Sequence, residues 1–237
     1  MSKVTLVRHW SRTVLVTFCA ALLFAAAAQA EARTWSLAND FPLTKLNPAP
    51  DKYGHKGTWA YMYSKQPGRY LKLTQFYDAA TLESTCGVDF YVWNKTKENS
   101  LSTPAIFYNA GETIEPPNTT NRCNPSTTFP AKTVFLHPQF LGGPAVVRWK
   151  SSVTGTVTVS GSVQCTDPNI TGISWQLDRN STVLLGPFET YEDNLMPFGP
   201  TAVSVVRGEF LYLKVGLAAG ANGASDTTAV NLTITSP

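Results

Sequence analysis

The nine residues 155–163, GTVTVSGSV, alternate strictly between small apolar and hydroxyl side chains. Successive side chains of a strand point to opposite faces. Val157, Val159, Gly161 and Val163 therefore face a core, and Thr156, Thr158, Ser160 and Ser162 face water. A helix would scatter both sets around its circumference. A chain carrying this stretch is committed to antiparallel sheet with one wet face.

Runs of the same kind recur at 58–63, 70–76, 88–94, 105–108, 133–137, 145–149, 172–177, 202–206, 209–215 and 229–235. Each is rich in Val, Thr, Tyr, Phe or Trp and is bounded by Gly, Pro, Asn or Asp, and no window of twelve residues has helical periodicity. The pattern predicts an all-β chain, an antiparallel β-sandwich. In the run 145–149, Ala145, Val147 and Trp149 share the inward parity, so Trp149 is expected in the core and Arg148 on the outside or across a sheet edge.

Residues 1–30 read as a cleaved export signal. Lys3, Arg8 and Arg12 form a basic start, residues 14–28 an uncharged apolar run, and Ala28-Gln29-Ala30 a small-x-small cleavage site. Cys19 lies inside the apolar run without the small residues that precede a lipidated cysteine. No later stretch approaches eighteen consecutive apolar residues, so a membrane span is not expected in the mature chain. Residues 31–237 have the size of one all-β domain and contain no linker long enough to separate two cores. The expected location is the periplasm or the medium.

The formal charge of +3 belongs wholly to that leader, which has three basic residues and no Asp or Glu. Residues 31–237 are balanced, with no basic stripe for a phosphate backbone, which argues against nucleic acid as a partner.

The stretches "VVRW", "GTVTVSGSV" with Asp167 beyond it, "VSVVRGEFLYLKVG" and "NGASDTTAVNLTIT" resemble a jelly-roll domain recurrent in exported bacterial proteins, similar in architecture to carbohydrate-binding modules. "WSLANDFPLTKLNP" and "KGTWAYMYS" resemble its opening. The chain departs from that pattern at Lys150-Ser151 and at Glu209, and it ends on a strand-like run without a Pro-Glu-Pro sorting tag. The resemblance implies a jelly-roll sandwich and a polysaccharide or cell-surface glycan as partner. Such modules often hold a structural calcium, for which Asp167 or Asp226 would serve, although no ligand spacing here requires one. No other cofactor is expected.

Three cysteines follow the leader, and in an oxidising compartment two should pair. Cys165 continues the inward parity of 157–163, whereas Cys86 and Cys123 lie at strand or loop ends. Cys86–Cys123 is the expected bridge, with a bridge from Cys165 to either as the alternative. The five Asn-x-Ser/Thr sequons at Asn94, Asn118, Asn169, Asn180 and Asn231 read as turn composition in a chain with a bacterial-looking leader.

Catalytic patterns are sparse. There is no Gly-x-Ser-x-Gly, no His-Glu-x-x-His and no Cys-x-x-Cys, and a Ser-His-Asp site would have to use His55 or His137. Glu189, Glu192 and Asp193 form the densest acidic cluster and read as a solvated loop.

The aromatics carry the functional expectation. Trp59, Tyr61 and Tyr63 share one strand face and read as core. In the run 88–94, Val88, Phe90 and Val92 compete for the core with Asp89, Tyr91 and Trp93, and burying Asp89 unpaired would cost several kcal/mol. Tyr91 and Trp93 are therefore expected outward, as a stacking platform for a sugar, with Asp89 and Asn94 binding its hydroxyls. The leading expectation is an exported, non-catalytic carbohydrate-binding or lectin-like protein. The alternatives are a structural or surface-interaction sandwich and a two-carboxylate glycoside hydrolase.

Overall fold

The computed structural model describes residues 31–66, 68–97, 103–117, 123–124, 126–140 and 143–237. The leader expected at residues 1–30 lies outside them. The chain divides into Met1–Ala32 and a compact unit Arg33–Pro237.

The described residues of that unit form fourteen strands and one short helix: β1 (Arg33–Ser36), β2 (Trp59–Gln66), β3 (Arg69–Lys72), β4 (Gln75–Tyr77), α1 (Ala79–Cys86), β5 (Phe90–Asn94), β6 (Ala105–Asn109), β7 (Thr133–His137), β8 (Ala145–Lys150), β9 (Gly155–Cys165), β10 (Ile173–Arg179), β11 (Thr182–Thr190), β12 (Met196–Val205), β13 (Phe210–Leu217) and β14 (Thr228–Ser236). They form an eight-stranded sheet in the order β12-β9-β14-β7-β6-β5-β4, with β1 also against β14, and a six-stranded sheet in the order β11-β10-β13-β8-β2-β3. Within these, β7-β14-β9-β12 and β8-β13-β10-β11 are the two four-stranded halves of a jelly roll. Apart from the β10–β11 hairpin, every connection between β7 and β14 passes from one sheet to the other. β4, β5 and β6 widen the first half, and β2 and β3 widen the second.

The strand β9 places its alternate residues as the sequence requires: Val157, Val159 and Val163 are buried between the sheets. Gly161 shares their parity, and it carries no side chain because Phe198 of β12, its partner across the ladder, occupies that space. A Cβ on Gly161 would stand 2.6 Å from the Phe198 ring and 2.0 Å from the Asn231 carbonyl oxygen. Trp149 is fully buried and Arg148 points to the outer face, as the parity of β8 predicts.

One expected strand is two. The run 70–76 breaks at Leu73-Thr74, where the chain leaves the six-stranded sheet for the eight-stranded one. The Leu73 N–H donates to the Tyr61 carbonyl in β2 (2.9 Å), and the Thr74 N–H donates to the Asn94 carbonyl in β5 (3.2 Å). β1, β11 and α1 were not expected. α1 starts at an Asp78 cap whose Oδ1 accepts from the Thr81 N–H, and it ends at Gly87 in the left-handed region (φ 74°).

Two cores result. The larger lies between the sheets and gathers Trp35, Trp59, Tyr61, Trp93, Trp149 and Trp175 with the valines and leucines of both sheets. The smaller lies on the outer face of the eight-stranded sheet beneath α1, where Leu82, Cys86, Val88, Phe90, Val92, Phe107, Phe129 and Phe135 pack together. Cys86 and Cys123 are joined at its rim, with Cα atoms 5.1 Å apart, and Cys165 is a buried free thiol.

Candidate functional site

The second core corrects the expected sugar platform. Val88, Phe90 and Val92 do occupy a core, but it is the one beneath α1, and the opposite face of β5 packs into the core between the sheets. Trp93 is 2% exposed. Its ring stacks on Tyr61 (centroids 6.4 Å, planes 7° apart) and packs against Phe76 at 5.0 Å. Tyr91 is half-buried against the same core, and Asn94 is wholly buried. Asp89 escapes the burial cost because it precedes the strand: it is exposed, on the rim of a cavity of about 400 Å³ shared with Glu112 and Glu115. Two faces of one strand can both be dry when a helix covers the second, so alternation did not identify a wet face.

An aromatic and polar face lies instead on the outside of the six-stranded sheet. Trp175, Leu177, Leu211, Leu213, Val215, Ala145, Val147, Trp149, Trp59, Tyr61 and Tyr63 point into the core, so their alternates point out. The register sets those alternates in rows across the strands. Gln176, Lys214, Val146, Met62 and Lys72 form one row, and Asp178, Tyr212, Arg148 and Ala60 form the next. Ser174 with Gly216, and Ser64 with Tyr70, flank the first row on its other side.

Ala60, Met62 and Val146 make a small apolar patch, and Tyr70 and Tyr212 reach over it from either side. Their rings stack with centroids 4.6 Å apart and planes at 24°. Beside this pair is a cavity of about 360 Å³, lined by Ser64, Lys65, Tyr70, Ser174, Gln176 and Lys214 among others. Lys214 is held by Asp178 (Nζ to Oδ2, 2.5 Å), and the Gln176 side-chain amide donates to the other oxygen of the same carboxylate at 2.6 Å. On the far side of the tyrosines, the Arg148 guanidinium lies 4.6 Å from the Phe210 ring centre and donates from Nη2 to the Gly57 carbonyl (3.4 Å). Its Nε is buried without a partner among the described residues. Burial raises the Tyr212 phenol above its ordinary range, and the neighbouring Arg148 charge works the other way.

Asp51, His55, His137, Asp167 and Asp226 have structural partners. Asp51 accepts from Trp35 Nε1–H (2.7 Å), from the backbone N–H groups of Tyr53 (3.0 Å) and His55 (2.8 Å), and from His55 Nδ1 (2.8 Å). The other ring nitrogen of His55 meets the Arg33 guanidinium at 3.4 Å, where a catalytic triad would have a hydroxyl. His137 Nδ1 bonds the Pro138 carbonyl (3.0 Å), and burial lowers the pKa of the ring. The Asp226 oxygens accept from Thr171 and Gly172, and those of Asp167 from Thr127 and Asn169. Among the described residues no three His, Cys, Asp or Glu side chains converge as metal ligands. Glu192 accepts from Asn194 within its own exposed segment, and Glu189 accepts from the Tyr191 hydroxyl and the Ala219 N–H. No helix of the described residues is long and apolar enough to cross a membrane.

No protein-family model matches the chain, and no curated protein does. Solved structures similar to it include CBM51 from Clostridium perfringens GH95 in complex with methyl-galactose, at 11% identity over 48% of this chain and 83% of that one, with a TM-score of 0.35. Another is CBM35 from Paenibacillus barcinonensis, at 14% identity over 43% and 85%, with a TM-score of 0.23. A third is the M60 catalytic domain with the CBM51-1 and CBM51-2 domains from Clostridium perfringens ZmpB, at 11% identity and a TM-score of 0.29, where 78% of this chain matches 20% of the other. At these values none of them assigns a residue or a ligand to this chain.

The site residues Tyr70, Tyr212, Gln176, Asp178 and Lys214 were not singled out in the sequence. Their signal is present as polar or aromatic positions alternating with Trp175, Leu177, Leu211, Leu213 and Val215. Nothing local reveals that β10 and β13 are neighbours, or that β3 lies in the same sheet.

Proposed function

We propose that the chain is an exported, non-catalytic carbohydrate-binding protein that holds a saccharide in the cleft beside Tyr70. One observation carries this: a cavity of about 360 Å³ is lined by Tyr70, one ring of a half-buried aromatic pair, and by Gln176 and Lys214, both fixed by Asp178 behind them. A sugar ring presents a flat C–H face to an aromatic ring and hydroxyls to its edges, and this cleft offers both kinds of contact. Gln176 is anchored through its N–H, which leaves its carbonyl oxygen to accept from a hydroxyl, and Ser64 and Ser174 donate or accept.

Export is supported by the leader-like residues 1–30 and by the Cys86–Cys123 bridge, which belongs to an oxidising compartment. A surface-interaction role is the second reading, favoured by exposed Val183, Phe188, Tyr191 and Leu195 on and beside the edge strand β11. A glycan array probed with the purified protein and with Tyr70→Ala separates them. Binding by the first and not by the second supports the saccharide cleft. Absence of binding by both, with the protein eluting as an oligomer, supports the edge.

A further inference from the structure

Charge is unevenly divided between the two sheets. The strands of the eight-stranded sheet carry one Lys or Arg, Arg33, and no Asp or Glu. On the outer face of the six-stranded sheet stand Lys72, Arg148, Lys150 and Lys214 against Asp178 and Glu189. Of the two acids, Asp178 already accepts from Lys214 and Gln176, and Glu189 sits on the edge strand, accepting from the Tyr191 hydroxyl and the Ala219 N–H. Among the described residues the cleft is lined by two charged groups, and both are cations, Lys65 and Lys214.

A neutral sugar offers hydroxyls, which donate as readily as they accept, and a site for it needs acceptors. This cleft has a surplus of donors: three N–H on each ammonium, one of them spent on Asp178, with no carboxylate among the described lining residues to receive a hydroxyl. Donor surplus and positive charge are matched by a ligand that contributes oxygens and negative charge. We infer that the saccharide is acidic, a polymer of carboxylate-bearing sugars. It lies in the cleft beside the stacked tyrosines, with a sugar against the Tyr70 ring and one carboxylate at Lys214 and Lys65, and runs on past the pair so that the next carboxylate points toward Lys72. The inference rests on the saccharide reading of the same cleft.

Affinity electrophoresis of the purified protein tests it, in gels containing polygalacturonate, a neutral xylan or dextran sulfate, with duplex DNA and anionic phospholipid vesicles as competitors. The expected result is retardation by polygalacturonate that weakens steadily as salt is added and is unaffected by either competitor. Lys65→Glu with Lys72→Glu, both at exposed positions, should weaken that binding about tenfold at low salt without moving the melting temperature. Tyr70→Ala should abolish it. Retention by the xylan alone, Tyr70-dependent and indifferent to salt, would overturn the acidic assignment and leave the saccharide reading standing. Retention by dextran sulfate alone, which carries sulfates and no carboxylate, would overturn the carboxylate. Displacement by DNA or vesicles would show a surface for any polyanion and overturn the inference, and failure of every polysaccharide would remove the saccharide reading with it.

Discussion

Tyr70 and Tyr212 belong to β3 and β13, which β8 and β2 separate in the sheet, and yet their rings meet at 4.6 Å. They meet over Ala60, Met62 and Val146, so the contact ties both sides of the face together above the only apolar cluster on it among the described residues. In a double-mutant cycle, Tyr70→Ala and Tyr212→Ala should couple by about 1 kcal/mol in urea unfolding, the range of aromatic pairs. Additive losses would mean that the two rings do not touch in solution.

Trp149 and Arg148 are neighbours with opposite fates. Trp149→Ala empties the centre of the core between the sheets and should cost about 3–5 kcal/mol. Arg148→Ala removes a half-buried guanidinium from the Phe210 face and one backbone carbonyl and should cost about 1 kcal/mol. Chemical denaturation of the two variants measures both, and the reverse order would contradict the parity of β8.

The bridge between Cys86, the last residue of α1, and Cys123 spans a sequence separation of 37 residues. Its reduction should lower stability by about 4 kcal/mol in the chain-entropy account. A non-reducing peptide map should show these two fragments joined. Burial pushes the Cys165 thiol up to about 12, so it should resist alkylation in the native protein and react once the chain is unfolded.

Two buried carboxylates should give opposite pH responses. Burial acts to raise Asp51, but the bonds from His55 and Trp35 outweigh it and hold its carboxyl below the ordinary range. The stability Asp51 contributes is therefore present above the unfolded value, about 4, and is lost as the pH falls through the lower folded value. Burial raises Asp40 despite the bond from Trp59, so its ionisation opposes folding as the pH rises from about 4 through the raised folded value. Melting curves from about pH 3 to 7 should show Asp51→Asn losing most at neutral pH, with the gap to the native protein closing in acid. Asp40→Asn should lose least at neutral pH. Parallel curves for the two variants would contradict the assignment.

Trp93→Ala separates the core from the platform expected at β5. A ring stacked on Tyr61 and Phe76 at 2% exposure should cost about 3–5 kcal/mol when removed, and a soluble quencher should not reach it. A folding midpoint left unchanged would put Trp93 at the surface.

The sequence determined whatever depends on one strand and its two faces. Alternation in 155–163 identified the buried side of β9, the parity of 145–149 put Trp149 inside and Arg148 outside, and the absence of helical periodicity together with regular turn signals announced a sandwich. The cysteine positions distinguished a core thiol from a rim pair for the same reason. What covers a face is not a local property. β5 has the same alternation as β9, but α1 and the segment around Phe129 close over its second side, so Tyr91 and Trp93 went to the core between the sheets. The split of 70–76 at Leu73, which carries Tyr70 and Phe76 into different sheets, depends on partners supplied by Tyr61 and Asn94. The candidate site is likewise tertiary: Tyr70, Lys214 and Gln176 sit on three strands far apart in the chain, and only the β10-β13-β8-β2-β3 order brings their outward side chains onto one surface. Pairing order is decided by which apolar faces bury each other best across the whole molecule, and no single strand carries that information.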